Sequence, residues 1–304
     1  MNINQKLFTD FHEFCMPYMH CWDIDPVYPI LHEVQHRRAM GNPSGREQAI
    51  WHTFLYWVWY HMGSAEYMLN RYPEPTAVVH IEKPLPTGTE RRGMRGYKGS
   101  IKAIQLIQWV GLNGWLDRMD EVLSSSSAQG KQGWTWLFDE VQKLPNCGPW
   151  AGYKWCDLCK NVLEYDITAP NIGVGGMGEN AGPVSGMMQL TGIDWRTCAS
   201  DYRIQTQLYS YCHDQGIPFD GLEEMETALC DFNSLTHGRY YVGHDIDHQQ
   251  EQFIVMNVPQ IYWDARLLCF PDSTLGELQG WHGIRKELNG LYQRTGQIFK
   301  GGKA

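Results

Sequence analysis

The segment LPNCGPWAGYKWCDL, Leu144–Leu158, combines residue types that suit contact with a phosphate. A glycine such as Gly148 leaves room for a close approach of the backbone, and a helix that starts there presents free N–H groups to an anion. Leu-Pro-x-x-Gly between two helical segments is typical of a helix-hairpin-helix turn, which grips a nucleic-acid phosphate without reading the base sequence. The alternative is an ordinary connection between two helices, and the segment alone leaves both open.

A second segment, NIGVGGMGENAGPVSG at residues 171–186, contains a literal G-x-G-x-x-G. A dinucleotide fingerprint needs a strand before it and a helix that opens on its last glycine, and neither is predicted here. No G-x-x-x-x-G-K-[ST] pattern occurs, so a P-loop is excluded. We expect residues 173–186 to form an irregular loop beside the active cleft, where the amides of Gly175 and Gly176 hold an anion. A long flexible connection is the alternative.

Metal-ligating residue types also occur at suggestive spacings. Cys156-x-x-Cys159 has the spacing of a zinc pair, which His244-x-x-x-His248 would complete. The cysteines lie in a tryptophan-rich helical segment, however, which favours a place in the core. Two carboxylates beside these histidines, Asp245 and Asp247, suit magnesium instead. These patterns alone assign no cofactor, and they favour magnesium over zinc.

The elements that carry these residues are predicted to be helices. Apolar side chains recur at helical spacing, and no run of alternating strand residues is found. Asp25-Pro26 and the capping-box pair Ser44 and Glu47 predict helix starts. The predicted helices are 25–40, 44–69, 100–110, 115–123, 134–142, 150–164, 197–214, 222–235 and 276–292. We therefore predict a mostly α fold with a single catalytic domain over 1–304. Its helical N-terminal part covers about 1–130, and the part with the helix-hairpin-helix covers about 131–304.

The charge balance limits the class of protein. The net charge is −9, whereas nucleic-acid-binding proteins are usually basic, but two basic stretches stand out, at 91–102 and 285–303. The nine scattered cysteines and an amino terminus without a basic-then-apolar pattern predict a reduced, cytoplasmic protein. The longest apolar run, Ala49–Met62, is too short to span a membrane and carries two histidines, so no membrane partner is expected.

Four stretches, taken in order, resemble the amino acid:DNA transferases of DNA-hypermodifying bacteriophages, also described as α-glutamyl/putrescinyl-thymine pyrophosphorylases. The stretches are Glu47–Met68, Arg91–Ala103, the run from CGPWAGYKWCDL to NAGPVSGMMQLTG, and Glu226–Ile246. The resemblance covers roughly two thirds of the chain. It implies a DNA glycosylase-like helical fold with a helix-hairpin-helix, and a place of action in the cytoplasm of the infected host cell.

The resemblance also implies a reaction. The substrate would be DNA that contains a pyrophosphorylated 5-hydroxymethyluracil, and the nitrogen of an amino acid or amine would attack its methylene carbon and displace pyrophosphate. A separate 5-hydroxymethyluracil DNA kinase would act upstream, which fits the missing P-loop. The target base lies inside the duplex stack, so it must be flipped into a pocket.

This chemistry assigns candidate roles to residues. The protonated amine must lose a proton to a carboxylate or histidine, for which the candidates are Asp157, Glu226, Asp231 and His237. Pyrophosphate and DNA need cations, backbone N–H groups and aromatic surfaces. The candidates for these contacts are Arg92, Arg95, Lys98, Gly148, Trp150, Tyr153, Gly175, Gly176 and Arg239. Each of these side chains also has an ordinary structural interpretation, such as a solvated charge.

Two other functions remain open at this point. The first is a base-excision glycosylase of the helix-hairpin-helix class, in which a catalytic aspartate follows the hairpin. Asp166, in the segment Tyr165–Thr168, is the counterpart, although the match to the glycosylase pattern is imperfect. The second is a non-catalytic helix-hairpin-helix module that positions a modification complex on DNA, which would bind with strong salt dependence and no turnover.

Overall fold

The computed structural model describes residues 3–20, 22–40, 42, 44–125, 127–173, 175 and 177–270. The predicted helix 276–292, the basic stretch 285–303 and Gly176 therefore lie outside the described residues. The described part is helical, with one isolated bridge between Gly130 and Ile167 and no strand. The prediction of a mostly α fold is confirmed.

Fourteen α-helices and one 3-10 helix, η1, are found in the described residues. They are α1 (Gln5–His20), α2 (Val27–Ala39), α3 (Gly45–Trp59), α4 (Met62–Arg71), η1 (Thr89–Met94), α5 (Gly96–Asn113), α6 (Trp115–Leu123), α7 (Gly130–Val141), α8 (Pro149–Asn161), α9 (Gly182–Thr191), α10 (Trp195–Ser200), α11 (Tyr202–Asp214), α12 (Leu222–Thr236), α13 (His244–Met256) and α14 (Gln260–Cys269). None of them is both long enough and apolar enough for a membrane span.

The chain forms two compact units, each assembled from separate segments. Unit 1 takes its described residues from 1–26, 170–248 and Phe270, and unit 2 consists of 27–169 and 249–269. In unit 1 the rings of Phe11 and Phe14 on α1 are fully buried, with centroids 5.1 and 5.8 Å from that of Phe232 on α12. Helix α9 packs closely on α12, because a Cβ atom at Gly186 would lie 2.3 Å from the Leu229 carbonyl oxygen.

The core of unit 2 is built on α3, from which Trp51, Trp57 and Trp59 are fully buried. The ring centroid of Trp57 lies 5.3 Å from that of Trp155 on α8. The single predicted helix 44–69 is wrong, because the chain turns at Tyr60, which has a left-handed φ of 49°. Helix α4 restarts after His61, whose Nδ1 accepts a hydrogen bond from the Ser64 N–H at 3.2 Å.

Part of the glycine-rich segment also differs from the prediction. Helix α9 begins at Gly182, inside the stretch 173–186 that was expected to be irregular throughout. Proline stands in the first turn of this helix, where its missing N–H carries no penalty. No strand precedes the glycines in the described residues, so the argument against a dinucleotide fingerprint is unaffected.

Candidate functional site

The turn between α7 and α8 has the exposed glycine that the sequence predicts. Gly148 directly precedes α8 with an extended φ of −113°, and no atom lies within 4 Å of the position that its Cβ would take. Neither the backbone conformation nor packing therefore requires glycine at this position. Gly148 has no side chain to cap this end of α8. Pro149 carries no N–H, so the N–H groups of Trp150 and Ala151 are the ones that suit an anion. The helix-hairpin-helix itself stays a prediction.

The first turns of α8 place an aromatic face beside Gly148. Trp150 is half-buried and its ring stacks on Tyr153, with 6.2 Å between centroids and 9° between planes. Tyr153 is buried against Trp134, with 5.3 Å between the ring centroids. Lys154 Nζ lies 5.4 Å from the Trp150 ring centroid, a cation–π contact. Of the two predicted aromatic contacts, Trp150 is the one with an accessible surface.

Asp157 lies deeper along α8 and is only 2% exposed. Its Oδ2 accepts a hydrogen bond from the Tyr28 hydroxyl at 2.7 Å and contacts Lys154 Nζ at 3.3 Å. Its Oδ1 accepts from Asn161 Nδ2 at 2.8 Å. Because the Tyr28 proton points to Asp157, Tyr60 donates its own proton to the Tyr28 oxygen at 2.7 Å. Asp157 is therefore the end of a buried chain of hydroxyl groups.

The predicted cations of unit 2 lie on η1 and the start of α5. Arg92, Arg95 and Lys98 are all exposed. Asn146, in the turn before α8, donates a hydrogen bond to Gln105 of α5 at 3.4 Å. Gln105 is seven residues from Lys98, so both share one face of α5. Unit 2 thus brings the predicted cations and the α7–α8 turn into one region.

We call the exposed residues Arg92, Arg95 and Lys98 the cationic region. Arg91, the residue directly before it, was not singled out from the sequence. Arg91 is buried, at 7% exposure, and its guanidinium stacks on Trp57 with 4.6 Å to the ring centroid. It also interacts with the thiol of Cys147, next to Gly148. No periodic signal in the sequence separates Arg91 from Arg92, since both lie in the short 3-10 helix η1 rather than in a regular amphipathic helix.

Unit 1 carries the other predicted acids, on α12. Glu226 is 1% exposed, and its Oε2 accepts a hydrogen bond from Thr227 at 3.4 Å. Asp231 Oδ2 accepts one from the Tyr18 hydroxyl at 2.8 Å. Burial raises the pKa of Asp231 well above its usual range, and the charge of Asp245 adds to this, while the Tyr18 hydrogen bond opposes it.

Asp23, a fully buried aspartate of unit 1, was not singled out from the sequence. Burial and the nearby Asp245 charge raise the pKa of Asp23 to about 7, and three hydrogen bonds work against this rise. Its Oδ2 accepts from the Tyr240 hydroxyl at 2.5 Å and from the Gly243 N–H at 2.6 Å, and its Oδ1 from the Ile246 N–H at 3.2 Å. Asp23 therefore fastens the polar segment 240–246, and no local pattern around it predicts this.

The remaining candidates of unit 1 lie at its surface. His237 and Arg239 are exposed just after α12, and His237 Nδ1 contacts the Asn233 carbonyl oxygen at 2.7 Å. Gly175 is exposed in the glycine-rich segment. In unit 2, Asp166 of the glycosylase alternative is exposed, and its carbonyl oxygen accepts from the Gly130 N–H at 2.7 Å.

Metal ligands are not assembled among the described residues, where no group of three or more His, Cys, Asp or Glu side chains could hold an ion. Cys156 and Cys159 are buried in α8, and burial raises the pKa of both thiols well above the usual value. This matches the core interpretation of the Cys-x-x-Cys pair. His244 Nδ1 contacts Asp245 Oδ1 at 2.8 Å.

The chain matches the model of a protein family. The family model of amino acid:DNA transferases matches residues 19–241, which is well over half of the chain. The chain belongs to the amino acid:DNA transferase family. The resemblance drawn from the four sequence stretches is thereby confirmed, and the matched range includes the α7–α8 turn, the cationic region and α12.

The chain is also similar to a curated phage protein. A glycinyltransferase of Pseudomonas phage PaMx11 is 29% identical over 166 residues, which cover 50% of this chain and 51% of the relative. The chain therefore spans about half the length of the curated relative that it matches.

Proposed function

We propose that this protein transfers an amino acid onto a pyrophosphorylated 5-hydroxymethyluracil in DNA. The amine nitrogen attacks the methylene carbon, a C–N bond forms, the C–O bond to pyrophosphate breaks, and the amine gives up a proton. The observation that carries the proposal is the family match over residues 19–241. The exposed turn and cations of unit 2, which suit a polyanion, support it.

DNA contact is assigned to unit 2. The free N–H groups at the start of α8 suit a backbone phosphate, and the open space at Gly148 allows its close approach. Trp150 offers an aromatic face for a flipped or unstacked base. Arg92, Arg95 and Lys98 supply local positive charge for the DNA phosphates, although the net charge of the whole chain is −9.

The proton of the amine requires an acceptor, and Asp231 is one candidate for it. The pKa of Asp231 is raised, so its carboxylate binds a proton more tightly than that of an ordinary aspartate. Burial and Asp245 produce that rise at Asp231. Asp157, Glu226 and His237 remain the other predicted acceptors, and Asn or Gln substitutions distinguish them.

Glycine is the first co-substrate to test, because the curated relative is a glycinyltransferase. The proposed partners are the modified DNA, the amino acid and an upstream 5-hydroxymethyluracil DNA kinase. The test is incubation of the purified chain with pyrophosphorylated DNA and single amines, with and without magnesium, followed by digestion to nucleosides and mass spectrometry. A new nucleoside whose mass includes one amine supports the proposal, and unchanged nucleosides with every amine refute it.

Removal of the exposed cations should weaken DNA binding. We expect the double variant Arg92→Gln/Arg95→Gln to lower affinity for duplex DNA and to reduce the slope of log K against log salt by roughly 1 to 2, because each lost phosphate contact removes about 0.9. Fluorescence anisotropy over a salt series measures this slope. The matched control is Lys83→Gln/Lys131→Gln, which removes two other exposed cations of unit 2. Equal slopes for the two double variants would remove the cationic region from the DNA-binding surface.

A further inference from the structure

Arg91 is a buried cation without an anionic partner among the described residues. Its neighbours are neutral: Nε donates to the Val58 carbonyl oxygen at 3.5 Å, the guanidinium lies over Trp57, and the Cys147 thiol is close by. Nη2 is buried and donates to no group in the described part of the chain. Burial of a charge is unfavourable unless the charge is paired, and burial lowers the pKa of Arg91 here.

The local backbone holds Arg91 in this position. The N–H of Gly88, directly before η1, donates to the Trp59 carbonyl oxygen at 2.8 Å. A Cβ atom at Gly88 would lie 2.3 Å from the Tyr60 carbonyl oxygen, so η1 sits directly on the end of α3. The carbonyl groups at that helix end attract a cation, and Nε of Arg91 already donates to one of them, that of Val58. A structural role at the end of α3 therefore accounts for the stacking and leaves Nη2 unsatisfied.

Arg91 lies near other groups that can donate to an oxyanion. Cys147, which the guanidinium contacts, stands immediately before Gly148 and the free N–H groups of α8. Arg92 and Arg95, its neighbours in the chain, are exposed, whereas Arg91 is removed from solvent. Guanidinium groups bind diphosphate oxygens in a two-pronged contact, which is strongest where water is excluded.

We infer that Arg91 binds the pyrophosphate group of the substrate and holds it as it leaves. The inference rests on the proposed function, and it names the residue that receives the leaving group. Arg92, Arg95 and Lys98 then contact the DNA backbone, while Arg91 contacts the diphosphate. An exposed backbone phosphate and the carboxylate of the amino acid are the other oxyanions that could reach a guanidinium, and the test separates all three.

The test measures binding to the intact chain by titration calorimetry with inorganic pyrophosphate, glycine and unmodified duplex DNA as separate probes. Arg91→Met should weaken pyrophosphate binding roughly 10- to 100-fold, the range expected for a lost charged hydrogen bond, and leave glycine and DNA binding within about twofold. Arg91→Lys keeps the charge but lacks the planar guanidinium, so its pyrophosphate affinity should lie between those of Arg91→Met and the wild-type protein. Lys83→Gln, which removes an exposed cation of unit 2 with no assigned role, is the control and should leave pyrophosphate binding unchanged.

Several results would overturn the inference. The first is that the wild-type protein does not bind pyrophosphate. The second is that Arg91→Met and the wild-type protein bind pyrophosphate equally. The third is that Arg91→Met loses affinity only for glycine or only for DNA. If Arg91→Met does not fold, as judged by circular dichroism, Arg91→Lys decides by the same criteria. Binding is read without turnover, so Arg91-dependent pyrophosphate binding with no transfer to any amine would refute only the proposed function. Transfer with Arg91-independent pyrophosphate binding would refute only the inference.

Discussion

Replacement of Gly186 by alanine is expected to destabilise the protein by about 3 kcal/mol, the upper part of the range for overpacking a tight contact. The added Cβ would lie 2.3 Å from the Leu229 carbonyl oxygen and 3.0 Å from its carbonyl carbon. These are backbone atoms of α12, so no side-chain rotation relieves the clash, and α9 must move away from α12. Alanine has a higher helix propensity than glycine, by about 1 kcal/mol. A net loss of stability therefore requires the close helix contact.

The control for this variant is Gly178→Ala, which lies eight residues earlier in the same glycine-rich segment. No atom lies within 4 Å of its Cβ position, and its φ is not in the left-handed region. We expect a change within about 0.5 kcal/mol, as for surface substitutions elsewhere. Urea unfolding followed by tryptophan fluorescence compares the two. Equal midpoints for both variants would show that α9 and α12 are not packed this closely.

The second large effect is expected at the buried ion pair of α8. Lys154 and Asp157 are 5% and 2% exposed, and Lys154→Met leaves the Asp157 carboxylate buried without its ammonium partner. Removal of one member of a buried pair destabilises by about 3–5 kcal/mol. Tyr28 and Asn161 still donate to the carboxylate, so we expect the lower end of that range.

The double variant Lys154→Met/Asp157→Asn tests the cause of this loss. It removes both charges while it keeps the side-chain volumes, so we expect it to regain most of the stability that Lys154→Met loses. Lys131→Met, an exposed lysine on α7, is the control and should have little effect. If the double variant is no more stable than Lys154→Met, lost packing rather than an unbalanced charge explains the effect. The folded double variant also tests Asp157 as a proton acceptor, because its transfer rate can be measured without unfolding.

The sequence predicts those parts of this protein that depend on local signals. Proline after Asp25 marks the start of α2, and apolar spacing predicts α6, α7, α8 and α12 to within a few residues. The break at Tyr60 could not be predicted, because tyrosine carries no sequence signal for a left-handed conformation. Helix α13 was missed because it opens on a run of polar residues, HDIDHQQ, without a clear apolar stripe.

The candidate site shows a similar division. The turn with Gly148 and the exposed cations could be predicted, because their motif is contiguous in the chain. The contact between Arg91 and Cys147, and the bonds from Asp23 to the segment 240–246, join residues far apart in the sequence. Charge alone does not distinguish Arg91 from Arg92, and only the fold of η1 on α3 buries one of them.

The most direct test of the central claim is the stoichiometry of the transfer reaction. The purified chain is incubated with glycine and one of two matched DNA duplexes, which contain either 5-hydroxymethyluracil or its pyrophosphorylated form. Released pyrophosphate and new nucleosides are quantified from the same samples. We predict one pyrophosphate released for each glycine-bearing nucleoside, and neither product from the 5-hydroxymethyluracil duplex. Abasic sites, equal products from both duplexes, or pyrophosphate release without any new nucleoside would contradict amino acid transfer at the activated base.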